Sequence, residues 1–177
     1  MITKFTKVDD INKVLRKYLI SQSELPSKNV LNSLSTYGET LNKIFNNIAN
    51  SYKLEDSILL FELTNRNNES NVSFIENDSL TFIQSYNLKI ILYGKNSFDV
   101  CNKLIARLRS ENIRNLLYDE GIYLERIENP ISFTEFKNDV LWPRNDFNIL
   151  LSCEFSYSQV EQDYDMKNIS DIKIIDI

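Results

Sequence analysis

Two stretches of this chain alternate apolar and polar residues for longer than a turn or a helix permits. In the first, Leu80, Phe82, Tyr86, Leu88, Ile90 and Leu92 fall on one side, with Gln84 the only polar interruption, and Thr81, Ser85, Asn87 and Lys89 on the other. In the second, Phe147, Ile149, Leu151, Cys153, Phe155 and Tyr157 alternate with Asn148, Ser152, Glu154 and Ser156. A period of two is the mark of a half-buried strand. Such strands need a partner and a covered face, so they dictate a sheet with something packed on it.

The segments around them supply that cover. Val8, Ile11, Val14, Leu15, Tyr18 and Leu19 form one helical stripe, with Thr6 as the expected cap and Asp9 three residues on in the manner of a capping box. Ser21 to Ser27, with Pro26, reads as a break. After Gly38, a second amphipathic helix places Leu41, Ile44, Phe45, Ile48, Ala49 and Tyr52 on one face. Ile58 to Leu63 is apolar at nearly every position, which predicts a strand covered on both sides. Arg66 to Asp78 is a polar run with an apolar island at Val72, Phe74 and Ile75, and reads as a loop or an extended hairpin arm. Beyond Gly94, Asn96 or Ser97 caps a helix whose stripe is Val100, Cys101, Leu104, Ile105 and Leu108; Ile113, Leu116 and Leu117 add further turns before Gly121. Ile122 to Glu128 reads as a short strand, Ile131 to Leu141 as irregular, and Ile169 to Ile177 as one more strand. The expected fold is α+β: a mainly antiparallel twisted sheet of four to five strands with helices on one face, in a single domain over residues 1–177 (N-terminal helices about 6–53, sheet–helix core about 57–177). The other sheet face carries Thr, Ser, Asn and Lys, suited to solvent or to another copy.

Composition narrows the chemistry. The formal charge of −5 argues against a domain that grips phosphate backbones, which takes clustered Lys and Arg. With no histidine, Ser-His-Asp and Cys-His nucleophile activation and His-ligated zinc are excluded. Three glycines could hardly build a phosphate loop. Cys101 and Cys153 lack metal or redox spacing and read as buried thiols. No signal-peptide core or membrane-length apolar run is seen, so no membrane partner is expected. The acidic groups at Asp119-Glu120, Glu125, Glu128, Glu161, Asp163 and Asp165 could do acid–base work or hold Mg²⁺ or Ca²⁺, but none has a calcium-loop pattern, and they read as solvated charge. Arg107, Arg109, Arg114 and Arg126 read as ion-pair partners between elements or subunits. No catalytic, cofactor-binding or metal residue is therefore assigned, and no cofactor is expected.

Trp142-Pro143-Arg144 reads as a turn ahead of the second long strand. In a structural role, Pro143 stops pairing upstream, Trp142 covers the core edge and Arg144 pairs with a nearby carboxylate. In a functional role, Trp142 and Arg144 are interface anchors, both types being enriched at hot spots. The polar arm adds Arg66, Asn67, Asn68, Glu69 and Asn71 as candidate interface residues.

The second half of the chain resembles tail-terminator and neck-completion proteins of long-tailed bacteriophages. The matching order is a strand ending in Tyr-Gly (Ile90 to Gly94), a helix Val100-Cys-Asn-Lys-Leu104-Ile-Ala-Arg-Leu108, then Arg114-Asn-Leu-Leu117, a Gly121-Ile-Tyr-Leu124 strand, and Trp142-Pro-Arg144-Asn-Asp-Phe147-Asn-Ile149 leading into the last long strand. The resemblance implies a structural, non-enzymatic virion protein. It would form a ring with itself, typically a hexamer, on the head-proximal end of the tail tube, ending tube polymerisation and joining the tail to the neck. The implied partners are further copies, the tail tube protein, a neck or connector protein and a sheath, with DNA passing through the bore without specific binding. The implied location is the virion tail or neck, and the host cytoplasm during assembly. Two other classes stand beside it: a head–tail connector or neck adaptor, and a small carboxylate-using enzyme or regulatory binding domain. The last predicts a concave pocket lined by two or more carboxylates with raised pKa values.

Overall fold

A computed structural model describes residues 5–32, 51–66, 73–76, 79–137 and 139–158. Among these residues seven strands form one sheet: β1 (Val30–Asn32), β2 (Ile58–Asn65), β3 (Ser73–Glu76), β4 (Ser79–Tyr93), β5 (Ile122–Ile127), β6 (Ile131–Lys137) and β7 (Val140–Ser158). The main path runs β1-β2-β4-β7-β5, with β3 paired to β4 and β6 to β7. All pairings are antiparallel except the parallel β1–β2 edge. The two alternating stretches pair with each other along the centre, from Ser79–Ser158 to Tyr93–Arg144. This is the α+β, mainly antiparallel sheet expected from the sequence, with seven described strands where four to five were expected.

Helices α1 (Val8–Ser23), α2 (Ser97–Leu108) and α3 (Glu111–Asp119) cover one face. Their stripes (Ile11, Leu15 and Leu19; Cys101, Leu104, Ile105 and Leu108; Ile113 and Leu117) pack on Leu59, Phe61, Leu63, Tyr86, Leu88, Ile90, Leu92, Phe147, Ile149, Leu151, Cys153 and Phe155. Each fully buried Leu, Ile or Phe contributes about 1.5–3 kcal/mol, so this layer dominates the stability. Leu116 points outward, unlike its neighbours Ile113 and Leu117. Arg107 ties the helices together, donating to the Gln22 carbonyl (2.7 Å) and the Glu24 carboxylate (2.5 Å) at the C-terminal end of α1, where carbonyls lack helical partners. The opposite face is not uniformly polar. Ile58, Leu60, Ile91, Tyr93 and Trp142 form a second, smaller core, with Leu31, Tyr52 and Leu54 against it. β2 is thus covered on both sides, as its continuous apolar run predicted. Gly94 makes the turn from β4 into α2 possible: its φ is +111°, and a Cβ there would lie 2.3 Å from the Asp56 carbonyl oxygen.

Three expectations need correction. The N-cap of α1 is Lys7, not Thr6, and no side-chain cap bond forms there. The reason is upstream: Phe5 bridges β7, its N–H donating to Glu154 O and its carbonyl accepting from Ser156 N–H, which holds the chain extended through Lys7. At α2 the cap position is Asn96, one of the two residues expected there, without a side-chain bond. Ile131 to Leu141 is not irregular; it is β6, a two-residue connection at 138–139 with Asp139 at φ 60°, and the start of β7. Trp142-Pro143-Arg144 is not a turn but part of β7, paired in that order with Glu135, Thr134 and Phe133 of β6. Pro143 fits because its carbonyl accepts from Gly94 N–H on the β4 side. In a strand the nitrogen of the same residue faces that side too, so the missing N–H takes no bond from β6. β1, three residues long, was not anticipated at all. The arm is a hairpin where it is described, Ser73–Glu76 pairing with Ser79–Phe82. The predicted helix from Leu41 and the strand from Ile169 lie outside the described residues.

Candidate interaction surface

From Arg144 back to Val140, β7 leaves β4 and, among the described residues, pairs with β6 alone. The result is a two-stranded ribbon at one end of the sheet. Ladder partners share a face, so Ile131, Phe133, Glu135, Trp142, Arg144 and Asp146 lie on the side away from the helices, and Ser132, Thr134, Phe136, Leu141, Pro143 and Asn145 on the helix side. Among the described residues no third strand or helix covers it, and its large apolar side chains meet solvent: Ile131 is 69% exposed, Phe136 63% and Leu141 61%, with Phe133 and Val140 also open. Phe136 and Leu141 are direct ladder partners. Isolated exposed apolar residues are ordinary, but five on one short ribbon mark a surface made to be covered.

The base of the ribbon is rigid. Arg144 donates from Nε and Nη2 to the two Asp146 oxygens at 2.7 and 2.6 Å, and from Nη1 to Glu135 Oε2 at 2.9 Å. Its guanidinium lies 4.7 Å from the Phe133 ring centroid and 5.3 Å from that of Tyr93, whose hydroxyl also donates to Glu135 (2.9 Å). Burial works to lower the Arg144 pKa, but the bonds to Asp146 and Glu135 outweigh it and hold the group firmly charged. Burial, joined by the Glu135 bond, pushes the Tyr93 phenol well up. On the helix side, Ser132 donates to Asn145 Oδ1 (2.5 Å), Asn145 Nδ2 donates to Ser97 Oγ (2.9 Å), and Ser97 Oγ donates to the Pro143 carbonyl (3.4 Å). That chain fixes the ribbon to the first turn of α2, where Phe98 is also exposed.

The sequence-derived interface residues are spread between two places. Trp142 (2% exposed) caps the smaller core and Arg144 braces the ribbon, so both support the exposed residues rather than presenting themselves. Arg66 continues the β2 ladder through N–H to Ser85 O (3.1 Å), and its guanidinium stands 3.8 Å from Glu125 on the face away from the helices. There Glu125 accepts a very short bond from Ser152, Ser85 and Ser152 are 3.3 Å apart, and Tyr123 donates to Glu154 at 2.7 Å. Asn67, Asn68, Glu69 and Asn71 lie outside the described residues. The ribbon residues Ile131, Phe133, Phe136, Val140 and Leu141 were missed. The signal that could have found them is the Ile-x-Phe alternation followed by Asn138-Asp139, residue types that tolerate a tight hairpin turn.

Neither described cleft joins two carboxylates. A cavity of about 490 Å³ between α1 and β1 is lined by Asp9, Asn12, Lys13 and Arg16, with Val30, Leu31 and Asn32. One of about 240 Å³ between α3 and β5 is lined by Arg109, Arg114, Glu125 and Arg126 with apolar neighbours. Among the described residues no group of three or more His, Cys, Asp or Glu could hold a metal, and no described helix is long and apolar enough to cross a membrane. Burial pushes the Cys101 thiol up to about 11 and that of Cys153 higher still, so neither offers a thiolate at neutral pH.

A family model described as phage neck terminator protein matches residues 9–177, nearly the whole length and well beyond the half in which the sequence resemblance was found. No curated protein matches the chain.

Proposed function

The chain belongs to the phage neck terminator family, and from that premise we propose that it rings the head-proximal end of the tail tube, ends tube polymerisation and joins the tail to the neck. Membership makes it a structural protein of the virion tail or neck that associates with other components there. The finer reading rests on one observation above all: five exposed apolar side chains on a braced ribbon at one end of the subunit. Such a surface gains free energy only when another chain covers it. A ring, six subunits in the closed form that the resemblance implies, would cover it by repeating one contact around a closed symmetry. The chain's net charge of −5 suits a bore through which DNA passes without being held, since like charge repels the duplex. The arm over residues 66–78 would reach the neighbouring subunit or the tube protein. Assembly takes place in the host cytoplasm, from which the completed tail, with or without a sheath, joins the head.

The test is polymerisation of purified tail tube protein with this chain added. Tubes should stop growing, with the chain bound at one end by electron microscopy. Tubes that keep lengthening, with the chain remaining in the supernatant, overturn the proposal. Deleting residues 67–77 should leave the subunit folded and abolish capping; normal capping would reduce the arm to a loop.

A further inference from the structure

We propose that the cleft between α3 and β5 is a carboxylate-binding site, filled by an Asp or Glu side chain of a second copy of this chain. The inference rests on the self-assembling role above and names a point at which one copy holds the next. Four arginines read from the sequence as ion-pair partners between elements or subunits, and the structure divides them. Arg107 joins α2 to the end of α1. Arg109 at the C-cap of α2, Arg114 of α3 and Arg126 of β5 line one cleft of about 240 Å³.

Local structure builds this cleft. The register of β5 on β7 shifts between Leu124 and Arg126, which marks a bulge. The extra residue lets Leu124 and Ile127 both pack on the helix-side core, next to Leu108 of α2. The floor is therefore apolar, and the three arginines stand exposed around it. Arg114 is pinned across the cleft, its Nη2 donating to the Leu124 carbonyl at 3.0 Å. A guanidinium has five N–H donors, so this bond fixes the group and leaves donors for a ligand. Arg126 meets Glu128 at 3.4 Å and is 68% exposed. Glu125 also lines the cleft, but its carboxylate is engaged by Ser152 and stands 3.8 Å from Arg66 on the face away from the helices.

Charge and size select the occupant. Three guanidiniums meet one carboxylate here, in a chain whose net charge is −5. The cleft is a positive recess in an acidic chain, and a recess of one sign concentrates its field on what enters. Whatever part of a second copy seats there comes from the more acidic remainder. Pockets for cofactors and drug-sized ligands hold about 300–1,000 Å³, so this one suits a single side chain. A carboxylate on a methylene stem matches it: forked guanidinium donors meet the two oxygens, and the apolar floor meets the methylenes. A duplex backbone presents a phosphate about every 3.4 Å along each strand. It calls for a row of cations rather than one recess, and Glu125 would repel the neighbouring phosphates.

The test follows self-association of the full chain by sedimentation, comparing the parent with an Arg109→Gln, Arg126→Gln variant. Both side chains are exposed, so the variant should melt at the parent temperature. Its self-association should weaken roughly tenfold or more, the effect of losing charge-assisted bonds. Succinate, a small dicarboxylate, should dissociate the parent more effectively than sodium chloride of equal ionic strength. A variant that assembles as readily as the parent, or succinate that acts no differently from chloride, overturns the carboxylate site and leaves the ring standing. A parent that retards duplex DNA in a gel, with the variant failing to, overturns it in favour of a phosphate site. A parent that stays monomeric at every concentration overturns the ring and this occupant with it.

Discussion

Replacing Arg144 with Met keeps an apolar stem of similar length and removes the guanidinium that braces the ribbon. The loss comprises two bonds to Asp146, one to Glu135 and the stacking on Phe133 and Tyr93. Hydrogen bonds to charged groups are worth about 1.5–3 kcal/mol each, and breaking one side of a buried pair costs about 3–5 kcal/mol. The side chains here are 16–20% exposed, so water recovers part of that. The expected loss is therefore about 3 kcal/mol, a large share of a stability of about 5–15 kcal/mol. In thermal melts this corresponds to a drop of about 6–12 °C for a domain of this size. Urea unfolding followed by circular dichroism measures it directly. Most of the cost lies in the mutual repulsion of two carboxylates that lose their shared guanidinium, so adding Glu135→Gln and Asp146→Asn to Arg144→Met should recover stability. Arg144→Lys should recover less than half, since an ammonium can neither fork onto Asp146 nor stack as a plane. A loss below about 1 kcal/mol, or a further loss on neutralising the carboxylates, refutes the reasoning.

Gly94→Ala should destabilise by about 1–3 kcal/mol, because the turn needs a positive φ and the Asp56 carbonyl stands 2.3 Å from the new Cβ; an unchanged urea midpoint would contradict the close approach. Leu88→Asp should abolish soluble expression by placing an unpaired charge in a site that is 1% exposed, and a normal melt would show that β4 faces the other way. The Cys101 thiol is raised from 9.0 to about 11, first by burial and then by the Asp146 carboxylate. A raised folded pKa means stabilisation present below the unfolded value and lost as pH rises through the folded one. The melting temperature should therefore fall between pH 9 and 11, with Tyr93 and Tyr123 acting in the same direction; a thiol reagent that modifies the folded protein rapidly at neutral pH would contradict the burial.

The sheet and its helical cover were legible because the helix-facing residues of each long strand are buried and most of those on the other face are only partly so. Leu88, Ile90, Phe147 and Ile149 repeat every second residue for that reason, and Leu104, Ile105 and Leu108 follow the helical period against them. The ribbon was not legible. Ile131 and Phe133 face one side and Phe136 and Leu141 the other, all exposed, so no inside-and-outside contrast marks β6 as a strand. Pro143 read as a breaker because sequence cannot tell which edge its nitrogen faces; here it faces Gly94, where the central pairing has ended. Thr6 read as a cap because nothing local reveals that Phe5 is drawn into the sheet. The exposed surface was hidden for the same reason that it is informative: periodicity reports what the subunit buries within itself and is silent about what it reserves for another chain.

Native mass spectrometry of the purified full-length chain, alongside a Phe136→Ser, Leu141→Ser variant, tests the account at its centre. The account predicts a closed oligomer, with a six-fold mass as the expected species, for the parent chain. It predicts a monomer of unchanged melting temperature for the variant, because these two side chains are about three-fifths exposed in the subunit and support no core. A parent chain that stays monomeric at every concentration, or a variant that assembles as well as the parent, would contradict it.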